Sequence, residues 1–365
     1  MQKKLIALAV AGLVAAPAFA QSNVTIYGVA DAYFGFVNGK TAGDGDTKAV
    51  VGSGLLSGSR LGFKGSEDLG NGLKAEFVLE QGFDLDTGLS ASAVTKAGTT
   101  AETTRAFHRQ AYVALSSSMG KLGIGRQYAP GYFATADYEA TGGAIIAPQA
   151  VLAGAGVPLG TPTAQIQPGS TQRIDNSLSY KSPNFGGLTV SGIWGVGTED
   201  PEHEKDGRVL SVGANYANGP IGVAYVYNQM HSVADGNDKQ REHFLGGSYD
   251  FGMFKLLASY QTVGGDTGAA GLAAADAKIW EIGGVVKVGA GNVHVAYGKL
   301  DSDASQSDAK SFALAYTQGL SKRTTAYAGI NRTSNDDNVA YGLGGTSYDP
   351  GEAQTIYAVG LRHTF

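Results

Sequence analysis

The sequence predicts an all-β fold, a closed antiparallel barrel of sixteen membrane-crossing strands with a long third loop folded into the lumen. Three observations carry that prediction. A short apolar segment near the N-terminus reads as an export signal, the chain beyond it alternates with period two in segments of about ten residues, and the last residues form a strand that is apolar on one face.

Lys3 and Lys4 precede an apolar run at 5–16 and a small-x-small site at Ala18-Phe19-Ala20. About 12 apolar residues are too few for the roughly 20 that a spanning helix needs, so residues 1–20 read as a signal peptide and 21–365 as one barrel domain. Removing Lys3 and Lys4 with the signal lowers Lys+Arg from 27 to 25 against 32 Asp+Glu, a net charge of −7 that argues against nucleic acid as a partner. Cysteine is absent, which excludes a disulfide-stapled secreted domain and thiolate metal sites. With 55 Gly, 18 Tyr and only 10 Pro, the chain reads as many short strands joined by tight turns.

Hydrocarbon offers no partner to a free sheet edge, so strands that cross a bilayer must close on themselves. Sixteen segments carry the alternation: 23–37, 58–68, 72–84, 105–117, 120–128, 173–183, 187–197, 207–217, 220–230, 241–251, 253–263, 277–288, 291–301, 309–318, 322–332 and 354–365. Ile221, Val223, Tyr225 and Tyr227 oppose Gly222, Ala224 and Asn228, and Leu73, Ala75, Phe77 and Leu79 oppose Lys74, Glu76 and Glu80. In the last segment Thr355, Tyr357, Val359, Leu361, His363 and Phe365 share a face opposite Gln354, Ala358, Gly360 and Arg362. Trp194 and Trp280 fall among apolar neighbours and read as outward members of interfacial girdles.

The connections alternate in length. Glycine-bearing tight turns at 67–72, 117–120, 183–186, 217–220, 250–252 and 319–321 read as periplasmic, and longer polar stretches at 38–57, 84–104, 198–206, 231–240, 264–276, 302–308 and 333–353 as external loops. The connection at 129–172 is far longer than an ordinary hairpin loop. Its apolar residues, among them Tyr132, Phe133, Tyr138, Ile145, Ile146, Val151 and Leu152, and its prolines predict a segment packed against the inner wall.

Charge requires a wet lumen. Arg60 and Lys64 alternate with Leu61 and Phe63, and Arg173, Asp175, Ser177 and Ser179 oppose Ile174, Leu178 and Tyr180. A cation on the lipid face near the midplane costs about 2–4 kcal/mol, so these charges must face inward. The six histidines are scattered without metal-ligand spacing, no serine sits in G-x-S-x-G, and the glycine-rich runs read as turns, so neither an enzyme nor a cofactor or metal site is expected.

Six fragments carry a family resemblance: VTIYGVADAYF at 24–34, SRLGFKGSEDLGNGLKAEFVLE at 59–80, RQAYVALSSSMGKLGIGRQYAP at 109–130, NSLSYKSPNFGGL at 176–188, LSKRTTAYAG at 320–329 and LRHTF at 361–365. In their order and spacing the chain resembles the general porins of beta-proteobacteria across its whole mature length. That resemblance implies a homotrimer in the outer-membrane lipid, each subunit with its own water-filled pore for small hydrophilic solutes and ions. It also implies wall arginines facing acids on the inward loop. The resemblance gives Arg60, Arg109 and Arg173 as the wall cations, the last just ahead of the fragment at 176–188, with Arg126 a fourth and Lys64 beside them.

Asp137 and Glu139 are the only carboxylates at 129–172 and stand as the loop acids, with Glu80 on the wall a lesser candidate. Strict alternation sets Arg109 with Ala111, Val113 and Leu115, so either a bulge re-aims it or that face meets another subunit. Three or four arginines against two acids predict passive diffusion with a mild anion preference. A substrate-selective channel, or less readily a barrel adhesin or enzyme, is the alternative.

Overall fold

The computed structural model describes residues 23–39, 47–90, 93–95, 102–142, 144, 146–154, 164–168, 172–199, 202–233, 236–266, 275–343 and 349–365. The signal peptide expected at 1–20 lies outside the described residues.

Sixteen strand positions follow one another around a closed antiparallel sheet. They are β1 (Asn23–Asn38), β2 in two segments (Lys48–Ser53 and Arg60–Gly70), β3 (Leu73–Gly82), β4 (Gln110–Ser117), β5 (Gly120–Tyr128), β6 (Arg173–Lys181), β7 (Leu188–Gly195) and β8 (Val209–Asn218). The second half holds β9 (Ile221–His231), β10 (Lys239–Asp250), β11 (Phe254–Gly265), β12 (Ala277–Val288), β13 (Gly291–Ser302), β14 (Ala309–Gly319), β15 (Thr324–Asn335) and β16 (Gln354–Thr364). Each expected segment has its strand.

Closure is made by β1, which pairs with β16 from Val29↔Thr364 to Asn38↔Thr355 and with both segments of β2 on its other side. No open edge is left for lipid to meet. The turn from β2 to β3 runs through Gly70, Asn71 and Gly72, all at positive φ, a conformation that glycine and asparagine tolerate best.

Three boundaries differ from the sequence reading. The loop expected at 38–57 ends early, because Lys48–Ser53 already pairs with β1. Between the two β2 segments, residues 54–59 turn out of the ladder and bury Leu55 and Leu56. The strand expected from 105 begins at Gln110. Strict alternation therefore does not reach Arg109, which points inward while Val113 and Leu115 face outward. A short hairpin, Ala93–Thr95 with Glu102–Thr104, stands within the connection from β3 to β4.

The outer face is apolar, as with Ile221, Val223 and Tyr225 on β9, whose inward neighbours Ala224 and Val226 are buried. What buries them is the long connection between β5 and β6. It contains α1 (Pro130–Asp137) and α2 (Pro148–Leu152), each with proline in its first turn, where the missing N–H costs nothing. One face of α1 sets Ala134 and Tyr138 against Ala224, Val226 and Phe244, together with Ile166. The inner wall thus carries an apolar patch under α1, and α2 packs on β12, β13 and β14.

Wall side chains also pin the loop's backbone. Glu242 accepts from the amides of Gln165 (2.6 Å) and Ile166 (2.9 Å), and Glu281 from that of Gln149 (2.7 Å). Asn331 Nδ2 donates to the Ile146 carbonyl at 2.9 Å, and Tyr138 Oη donates to Asn215 Oδ1 at 2.6 Å. All but the last of these bonds satisfy backbone groups that would otherwise be buried without partners.

Candidate functional site

The loop lies against β7–β10 and β12–β14, and the charged side chains collect on the remaining wall, from β2 to β6. Glu80 on β3 is their hub. Its carboxylate meets Arg109 Nε at 2.7 Å and Arg60 Nε at 3.7 Å, and accepts from the hydroxyls of Tyr27 and Tyr128, both at 2.9 Å. Arg60 also donates to Ser57 Oγ (3.1 Å) and the Gly58 carbonyl (2.9 Å), so the inward turn at 54–59 fixes its guanidinium. Arg109 reaches on to Tyr132 Oη on α1 at 3.4 Å, tying wall to loop.

A second group adjoins the first. Asp175 binds Arg126 Nη1 at 2.6 Å and Arg105 Nη1 at 2.8 Å. Arg126 further donates to the carbonyls of His108 (2.5 Å) and Arg173 (2.8 Å). The ladder between β5 and β6 slips between Gly125 and Gln127, which releases Arg126 from the regular register. His108 is held down to about 4 by burial and by the charges of Arg173, Arg109 and Arg126, so it stays neutral at ordinary pH.

Arg173 differs from its neighbours. Its Cζ stands 5.9 Å from the centroid of the Tyr128 ring, as does that of Arg109. Its Nε is buried with no hydrogen-bond partner, and among the described residues it makes no ion pair. Five guanidiniums against the two carboxylates of Glu80 and Asp175 leave a formal surplus of three positive charges.

Arg60, Arg109, Arg126, Arg173 and Glu80 are therefore brought together. The other expected residues stand apart from that cluster. Lys64 lies over the Tyr27 ring, 5.1 Å from its centroid. Asp137 stands at the end of α1, its carboxyl raised by partial desolvation between loop and wall while Lys255 and Lys181 oppose the shift. Glu139 is buried and turns back on the loop, accepting from the Thr141 amide at 2.7 and 2.8 Å and from its hydroxyl at 2.7 Å. Among the described residues, neither loop acid pairs with the arginines.

Sequence reasoning missed Arg105 and His108 as members and gave Asp175 no role in the site. Their signal was the run 105–109, which carries three cationic or titratable side chains immediately before a strand. A wall with surplus positive potential beside a lumen raises the local concentration of anions without binding them tightly.

A model for the Gram-negative porin family matches residues 7–338. Over the full length of both chains the sequence is 33% identical to outer membrane porin protein 32 of Delftia acidovorans and 30% identical to an outer membrane porin protein of Bordetella pertussis. Among solved structures it resembles the anion-selective porin from Comamonas acidovorans, with a TM-score of 0.77 at 28% identity, covering 94% of this chain and all of that one.

Proposed function

Given that this chain belongs to the Gram-negative porin family and is an outer-membrane diffusion porin, we propose that its pore passes small hydrophilic solutes and ions with a weak preference for anions. The observation that carries this is the surplus of guanidinium on the β2–β6 wall, above all Arg173, whose charge no carboxylate pairs among the described residues. Arg60, Arg109 and Arg126 hold the potential in place, Glu80 and Asp175 moderate it, and the loop acids Asp137 and Glu139 with Lys64 shade it from outside the cluster. The solved relative titled an anion-selective porin supports the same sign.

Transport is passive and no residue acts as a catalyst. The exported chain begins at Gln21, and the working unit is a homotrimer, a reading that rests on family membership. Light scattering of the detergent-solubilised protein checks the assembly. For selectivity, the reversal potential across a planar bilayer under a potassium chloride gradient is decisive. It should take the sign of chloride permeation, and a value at the potassium side rejects the proposal.

A further inference from the structure

Beside the arginines lies an aromatic cluster that a simple charge filter does not require. Tyr128 on β5 and Tyr132 on α1 stack with ring centroids 3.9 Å apart and planes 12° from parallel. Phe133 stands edge-on to both, at 5.9 and 5.6 Å with interplanar angles of 85°. The two tyrosines are fixed at their hydroxyls, Tyr128 to Glu80 and Tyr132 to Arg109, whereas the Phe133 ring is 54% exposed.

That ring and Tyr128 face a cavity of about 350 Å³ inside the barrel, which Lys121, Lys181, Gln127 and Asp137 also line. An exposed phenylalanine in a wet lumen gives up the benefit of burial, and with Tyr128 on the same cavity it offers an aromatic surface to a passing solute. Of the cations around it, Lys121 is paired with Glu76 at 2.6 Å, Lys181 is exposed on the lining, and Arg173 adjoins the Tyr128 ring at 5.9 Å.

We propose that this surface is a subsite for planar aromatic carboxylates, whose ring lies against Phe133 and Tyr128 while the carboxylate turns to the Arg173 guanidinium. Asp137 lies one helical turn beyond Phe133, on the same exposed face of α1, and so repels the carboxylate toward the arginines. An aromatic ring pair adds about two- to ten-fold in affinity beyond area burial, enough to discriminate between solutes yet weak enough for release. The subsite deepens the anion-pore reading and rests on it.

The test compares benzoate with cyclohexanecarboxylate, which has the same charge and similar bulk but no planar ring. Each is titrated into a chloride-conducting single channel of the full-length trimer. Benzoate should reduce the chloride current saturably, with a half-blocking concentration about five-fold below that of cyclohexanecarboxylate. In Phe133→Leu the ratio should fall below about two-fold, while Phe312→Leu on the outer wall should keep it. Equal block by the two acids, no block by either, or equal block by uncharged benzyl alcohol overturns the subsite. A chloride preference that survives such a result leaves the pore reading intact, whereas loss of the preference itself condemns that reading first.

Discussion

The phenol of Tyr327 donates a 2.6 Å hydrogen bond to the buried carboxylate of Asp31, joining β15 to β1 across β16 at the seam of the barrel. The same carboxylate accepts from the amides of Leu56 (3.2 Å) and Ser57 (2.8 Å), so one side chain holds both the seam and the inward turn that positions Arg60.

Removing that carboxylate should loosen both. Asp31→Ala leaves two amides and a hydroxyl without their acceptor, a loss of about 3 kcal/mol at roughly 1 kcal/mol per bond. Tyr327→Phe removes one bond and should cost about 1 kcal/mol. Urea unfolding in detergent micelles measures both, and equal midpoints for the two variants would contradict the shared role of Asp31.

Glu80→Gln should strengthen the anion preference. The amide keeps an acceptor for Tyr27 or Tyr128, but Arg60 and Arg109 lose their counter-charge, and the formal surplus at the wall rises by one. A reversal potential displaced further toward chloride is the expected outcome. Displacement toward potassium would place Glu80 outside the field that the permeating ion feels.

The barrel was legible in the sequence because its physics is periodic: lipid on one side and water on the other impose a two-residue repeat, and every segment showing it became a strand. Arg60 and Arg173 could be set inward from the sequence, since a cation in such a segment must avoid lipid, whereas Arg109 and Arg126 came from the family resemblance. What alternation could not reveal is where it stops. Arg109 lies one residue outside β4, and residues 54–59 leave the ladder altogether, so parity counting misassigned the first and overlooked the second. The loop acids were chosen as the only carboxylates on their segment, but whether a loop carboxylate faces the lumen or its own backbone depends on local turns such as the one that bends Glu139 onto Thr141. The apolar inner wall at Val226 and Phe244 was likewise hidden, because it reflects the loop that covers those strands.

Glu242 should matter for a quiet channel. Its carboxylate accepts from the Gln165 and Ile166 amides and from the side chains of Gln240 and Gln261, fastening the loop's return to β10. In Glu242→Ala two backbone N–H groups lose their partner, each worth about 1–3 kcal/mol when buried. The inward loop should then fluctuate, seen as flicker in single-channel records, while the barrel still folds. A trace as steady as that of the unaltered protein would show that apolar packing around Ile166 suffices.

Acidification should increase the anion preference through Asp137. Burial raises its carboxyl above the usual aspartate range, against the opposing pull of Lys255 and Lys181. A raised acid takes up its proton earlier as pH falls, so the loop loses a negative charge while the arginines keep theirs, and the lumen becomes more positive. The rise should begin above the pH at which an ordinary aspartate titrates and should be absent from Asp137→Asn. His108, held at about 4, also adds its charge on acidification, and that contribution should persist in the variant. Reversal potentials measured from neutral pH downward in the unaltered protein and in the variant separate the two contributions. A preference that weakens on acidification would mean that Asp137 does not face the permeating ions.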